Sequence, residues 1–464
     1  MSRAVTAVPA GTRAGERAVV TLVTSTRADR GYHVRAKGRR APTRGGPGRA
    51  ATLNGIATRH APDVKIPLAH MLTGVCAALL GGLLLFWRGP TLLRQPLGDF
   101  RTLALTHLFT LGWLAMTITG ATYQLVPVVL EARLYSERLA NAGYPALAAG
   151  VGLMVAGFWT ARLALLVPGA FLAASALLVY AGHIAVTVLR SPAARVYRRF
   201  FLAATAYLAL VCVLGGLMAA SFRWGFLRAD VLPAHVIAAV MGWVTLLAMG
   251  VAYKLTPMFA LSYGHGEARA PTVFALAAGG TLLLLAAALF GWPRPVVAVA
   301  ALAPAGAAAL FLRDQWRFFH SRHKPRLDVG LRLVAVACFH FALTAALGWA
   351  ALAGVLRLWA ATLVVLAVLG WLGCLVAGQT YKIVPFLVWF HRYSTRAGRK
   401  RVPLLREMYG ERLAGIGMWG LAAAGPLVAA GVASGVAALA RAGALARLAG
   451  YGVLAYNLLQ VLRA

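Results

Sequence analysis

Imidazole is the side chain best suited to hold a metal or move a proton near neutral pH. Of the eleven histidines in this chain, His33, His60, His265, His320, His323 and His391 fall in the N-terminal stretch, in loops or at a helix end, where solvation explains them. Five others, His70, His107, His183, His235 and His340, fall inside long apolar runs. An imidazole in hydrocarbon must be hydrogen-bonded, face water or ligate something, and for a lone histidine a satisfied, packed ring is the commoner outcome. His107 and His235 stand apart because they precede the same dipeptide, Gly112-Trp113 and Gly242-Trp243, by five and seven residues. Cysteine adds no thiolate site: Cys76, Cys212, Cys338 and Cys374 stand singly in apolar runs without Cys-x-x-Cys spacing.

The dipeptide belongs to a segment that returns three times, at intervals of 130 and 128 residues. The copies read THLFTLGWLAMTITGATYQLVP, AHVIAAVMGWVTLLAMGVAYKLTP and VVLAVLGWLGCLVAGQTYKIVP. Aligned on Gly112-Trp113, Gly242-Trp243 and Gly370-Trp371, they share a later glycine (Gly120, Gly250, Gly378), a tyrosine (Tyr123, Tyr253, Tyr381), then Gln124, Lys254 or Lys382, and a proline (Pro127, Pro257, Pro385). Five marks in register in three copies point to an internal triplication.

Composition sets the environment. With 60% hydrophobic and 12% charged residues, no water-facing surface could be covered, and apolar runs of about 20 residues recur. The expected fold is an all-α membrane protein of twelve transmembrane helices in three pseudosymmetric four-helix repeats, about 66–197, 198–328 and 329–464. The spans are placed near 66–88, 101–130, 142–167, 170–189, 198–220, 232–262, 271–290, 294–312, 329–352, 357–391, 413–438 and 441–462. The motif falls on the second helix of each group, expected to be its longest and innermost.

The net charge of +34 does not call for nucleic acid, because much of it sits in loops where anionic lipid headgroups supply the counter-charge. Arg190, Arg195, Arg198 and Arg199, the stretch from Arg313 to Arg332, and that from Arg392 to Arg412 follow even-numbered helices. By the positive-inside rule both termini face the cytoplasm of an inner-membrane protein. His107 and His235 then lie in the outer half of the bilayer. Residues 1–65 carry thirteen Lys and Arg against three acids, lack the apolar stretch of a signal peptide, and read as a disordered basic tail or as the product of a misassigned start.

Each motif proline removes the amide that would bond to the tyrosine carbonyl four residues back, so all three helices are expected to bend at one depth. The glycines let a neighbouring helix come close. Gln124, Lys254, Lys382 and the adjacent Gln379 are polar groups within otherwise apolar helices. A lysine costs roughly 2.5–3.5 kcal/mol at the bilayer centre, and snorkelling removes much of that near an interface. Anchoring and a polar or proton-conducting role are both open for them.

Twelve helices, cytoplasmic termini, a threefold internal repeat and outer-half histidines on helices two and six resemble subunit I of the haem-copper oxidases and the related NnrS-type membrane proteins. The likeness spans residues 66–464. It implies that His107 corresponds to an axial ligand of a low-spin haem and His235 to a first copper ligand. The departures are as specific. Helix seven, PTVFALAAGGTLLLLAAALF, has no histidine, and helix ten has Leu363 and Val365 at the repeat-equivalent positions. Ala239 stands four residues after His235, where many oxidases have tyrosine. The resemblance therefore implies a non-oxidase that binds a b-type haem, a copper ion or both through His107 and His235, with His340 as a further metal ligand. Its setting would be respiratory, redox or nitric-oxide-related, with an electron-transfer partner and no reduction of oxygen or nitric oxide. The rival expectation is a cofactor-free protein: a small-solute or proton transporter, or a respiratory-complex assembly factor.

Overall fold

A computed structural model describes residues 62–92, 98–227, 231–263, 268–357, 360–397 and 399–464. Most of the basic tail, residues 1–61, lies outside the described residues. Among the described residues there is no β-strand, and twelve helices are long and apolar enough to cross a membrane. They are α1 (Lys65–Gly89), α2 (Phe100–Val129), α3 (Glu137–Thr160), α4 (Leu163–Leu189), α5 (Arg195–Trp224), α6 (Leu232–Ala260), α7 (Ala270–Phe290), α8 (Arg294–His320), α9 (Val329–Leu352), α10 (Ala360–Tyr393), α11 (Glu411–Ser434) and α12 (Ala437–Arg463). The chain is a multi-pass membrane protein.

Side-chain oxygens fix several helix starts. Asp99 accepts from Thr102 N at 2.9 Å, Ser136 from Leu139 N at 3.2 Å and Asp328 from Leu331 N at 3.1 Å, each satisfying an amide with no intrahelical partner. Gly225, Gly291 and Gly435 end α5, α7 and α11 with φ of 63°, 62° and 72°, the left-handed stop that glycine adopts without strain.

Two sequence expectations are corrected. The break between the third and fourth spans is expected between residues 167 and 170. It falls instead at Ala161, which turns left-handed at φ 53° while its amide bonds to Gly157 and Phe158 carbonyls. Pro168 is the sixth residue of α4, which continues past it. In the second group the motif helix is not the longest: α5 has 30 residues and α6 has 29, because the basic Arg195–Arg199 stretch joins α5 as helix.

The motif helices form the interior. Their apolar windows are 67%, 61% and 67% buried in α2, α6 and α10, above every other span. Each packs against the first helix of its own group through the later glycine. A Cβ on Gly120 would stand 2.8 Å from the Pro67 carbonyl, on Gly250 2.6 Å from Phe200 Cβ, and on Gly378 2.7 Å from the Gly330 carbonyl. Those approaches are closer than real Cβ atoms make, so glycine is required where the helices cross. The three inner helices also touch one another: Lys254 reaches Glu131 beyond α2, Lys382 lies over Phe259 of α6, and Trp113 meets Gly373 of α10.

A feature with no sequence forerunner runs through all three. Leu108–Ala115, Ala238–Thr245 and Leu366–Leu372 are π-helical, and each holds its Gly-Trp pair. A π turn carries one extra residue and rotates the side chains that follow. It thus resets the face on which Tyr123, Tyr253 and Tyr381 point. Pro127, Pro257 and Pro385 sit further along, inside helices that continue past them.

Candidate functional site

His107 and His235 lie just before the π segments of α2 and α6. The Nδ1 of His107 donates to the Leu103 carbonyl at 2.8 Å, one turn back in its own helix. A carbonyl only accepts, so the proton is on Nδ1 and the Nε2 lone pair is free for a ligand. The ring stacks on Phe158 of α3, centroids 5.2 Å apart and planes at 16°. His235 lies over Gly215 of α5, where a Cβ would be 3.1 Å from its Cε1. Its Nδ1 is buried, and the imidazole lies within reach of the Val211 carbonyl of α5. The two sequence-predicted ligands thus occupy matching places just ahead of the π segments of two neighbouring inner helices.

His340 is not added to them. It packs on α10, its Nδ1 3.9 Å from Cys374 Sγ and 3.3 Å from where a Cβ on Gly370 would be. No group of three or more His, Cys, Asp or Glu residues that could hold a metal occurs among the described residues. The donor set fits one ion of low coordination number, since imidazole suits copper, zinc, iron and nickel. Leu363 and Val365 of α10 stand at the places that match His235 and His107, so α10 offers no second imidazole for a haem there. Further along, Trp113 Cη2 stands 3.4 Å from a Cβ position on Gly373 of α10.

The motif tyrosines meet polar groups of the fourth helix in each group. Tyr123 is buried with its ring centroid 5.5 Å from both Tyr180 and His183 of α4. Tyr253 donates to Asp314 of α8 at 3.1 Å, whose other oxygen accepts from Arg269 at 2.9 Å. Tyr381 accepts from Asn457 of α12 at 3.2 Å. His70 and His183 are structural in this setting. His70 Nδ1 donates to Ile66 O at 2.8 Å, and His183 Nε2 accepts from Ser136 N at 3.1 Å.

The polar mark after each tyrosine has three fates. Gln124 is buried with Oε1 unpartnered, as is Oε1 of Gln379. Lys254 stands 3.7 Å from Glu131, a half-exposed pair worth little. Lys382 is 2.6 Å from Asp328, which Lys324 also reaches at 2.5 Å. Burial alone would raise the Asp328 carboxyl, but the two ammonium groups outweigh it and hold the pKa at about 2.

Sequence reasoning missed the acidic partners, Asp314 and Asp328, and above all Arg447, which is buried in mid α12. The signal for Arg447 was present, an arginine inside an apolar run, but the alanine- and glycine-rich surroundings made it look like a helix-end charge. No protein-family model matches the chain, and no curated protein matches it.

Proposed function

We propose that this protein holds one copper ion between His107 and His235 in the outer half of the cytoplasmic membrane, on a scaffold like that of the haem-copper oxidases, in a redox or metal-handling role. The observation that supports the reading is the placement of His107, with a free Nε2, and His235 just ahead of the π segments of two neighbouring inner helices. Bound copper would supply one-electron chemistry or be the cargo. The protein's own contribution is orientation: Leu103 O fixes the His107 tautomer and Phe158 fixes its plane, the positioning that metal-ligating histidines need. Two imidazoles are too few for the binuclear haem and copper centre that reduces oxygen or nitric oxide. Protein purified in detergent and dialysed against Cu(I) is expected to hold one equivalent of copper, with no pyridine-haemochrome signal. His107→Ala and His235→Ala should each lose the copper, and unchanged copper content in both would sink the proposal.

We also propose that the bundle is threefold pseudosymmetric. The π segments share a register, the later glycines meet Pro67, Phe200 and Gly330, and the tyrosines meet His183, Asp314 and Asn457. Both termini are proposed to be cytoplasmic. Impermeant thiol reagents should label Arg223→Cys and Arg294→Cys from outside and leave Arg195→Cys and Arg396→Cys untouched; the reverse pattern inverts the topology.

A further inference from the structure

Arg447 is the eleventh residue of α12, about 15 Å along a helix that crosses a hydrocarbon core about 30 Å thick. It is 1% exposed. Its guanidinium carbon lies 4.0 Å from the Trp113 ring centroid and 4.7 Å from those of Phe109 and Tyr451. No carboxylate among the described residues pairs with it. Three aromatic faces offset part of the desolvation of a cation, but they leave its charge unneutralised, and a buried guanidinium does not shed its proton as lysine does.

The direction of the unmet donors is informative. Nε and Nη2 are both buried without a hydrogen-bond partner. These two nitrogens form one edge of the guanidinium, with N–H bonds running parallel, the geometry that grips two oxygens of a planar anion at once. The Tyr451 hydroxyl, one turn further along the same helix, is a third buried polar atom here and stands within reach of Arg447 and of Trp113. The remaining nitrogen, Nη1, faces α10, 3.6 Å from a Cβ position on Gly373. Charge, fork and the phenol hydroxyl thus converge beside three aromatic rings.

We propose that Arg447 and Tyr451 form a receptor for a planar, singly charged oxyanion of the carboxylate class, bound within the membrane between α2, α10 and α12. Trp113 and Phe109 hold the guanidinium by its faces, leaving one edge free. The site is separate from the histidine pair and does not depend on it. Two sources share the chemistry: a small aqueous anion, and a carboxylate dissolved in the lipid.

Isothermal titration of the detergent-purified protein with sodium formate and with sodium benzoate, in chloride buffer of constant ionic strength, tests the proposal. Saturable binding of either is expected. Formate alone indicates an aqueous source, and benzoate alone a lipid one. Arg447→Gln should abolish binding, Tyr451→Phe should weaken it at least several-fold, and His107→Ala should leave it unchanged. Should Arg447→Gln not fold, Tyr451→Phe decides the matter. No saturable heat in the wild type, or binding unchanged in Tyr451→Phe, overturns the proposal and leaves water as the guanidinium's partner.

Discussion

Gly425→Val is expected to abolish the monodisperse, detergent-stable protein, or to lower its melting temperature more than any other single change considered. Gly425 lies where α11 crosses the π segment of α10. A Cβ there would stand 2.4 Å from both Cα and N of Gly370 and 3.0 Å from the Leu369 carbonyl carbon. All three are backbone atoms, so no rotamer change relieves the clash and the helices must part. Overpacking of a core costs typically about 1–3 kcal/mol, and a clash with backbone belongs at or above the top of that range. Gly452→Val supplies the control, because a Cβ at Gly452 meets nothing within 4 Å. Size-exclusion profiles and thermal melts of the two variants check this, and equal behaviour would show that the crossing is looser than drawn.

Asp328→Asn should destabilise the protein by about 2–4 kcal/mol. Asparagine keeps the cap on α9, so the substitution isolates the loss of charge beside Lys382 and Lys324, 2.6 and 2.5 Å away. The sign with pH follows from the depressed carboxyl. Its pKa is about 2 in the fold against an ordinary 3.8, so its contribution is fully present above about pH 4 and is lost as pH falls toward 2. The size of that shift corresponds to about 2 kcal/mol. Thermal melts from pH 6 down to pH 2 should show the wild type and the variant converging at the acid end. A gap between them that stays constant across that range would remove the ion pair from the account.

Much of the architecture was legible because hydrophobic length is a one-dimensional signal. Runs such as VVLAVLGWLGCLVAGQTYKIVP announce a span whatever it packs against, and Gly-Trp, Tyr and Pro in register singled out the inner helices. Boundaries were less legible. Ala161 ends α3 through a left-handed turn that no residue type advertised, and α4 runs on through Pro168. The π segments were invisible, since an extra residue per turn leaves no compositional mark. Of the candidate site, His107 and His235 were legible from their placement ahead of the Gly-Trp pairs. That His340 turns to Cys374 rather than joining a three-donor group was not, because the rotation of α9 is set by tertiary packing. Arg447 was overlooked for a related reason: burial and the absence of an acidic partner are facts of three dimensions.

The proposed copper site at His107 and His235 is tested most directly by X-ray absorption at the copper edge. Protein loaded with one equivalent of Cu(I) should show a low-coordinate first shell of nitrogen donors with the outer-shell scattering of imidazole rings, and His107→Ala should lose half of it or fail to retain the metal. A first shell dominated by sulfur, or an imidazole signature unchanged in both His107→Ala and His235→Ala, would contradict the assignment.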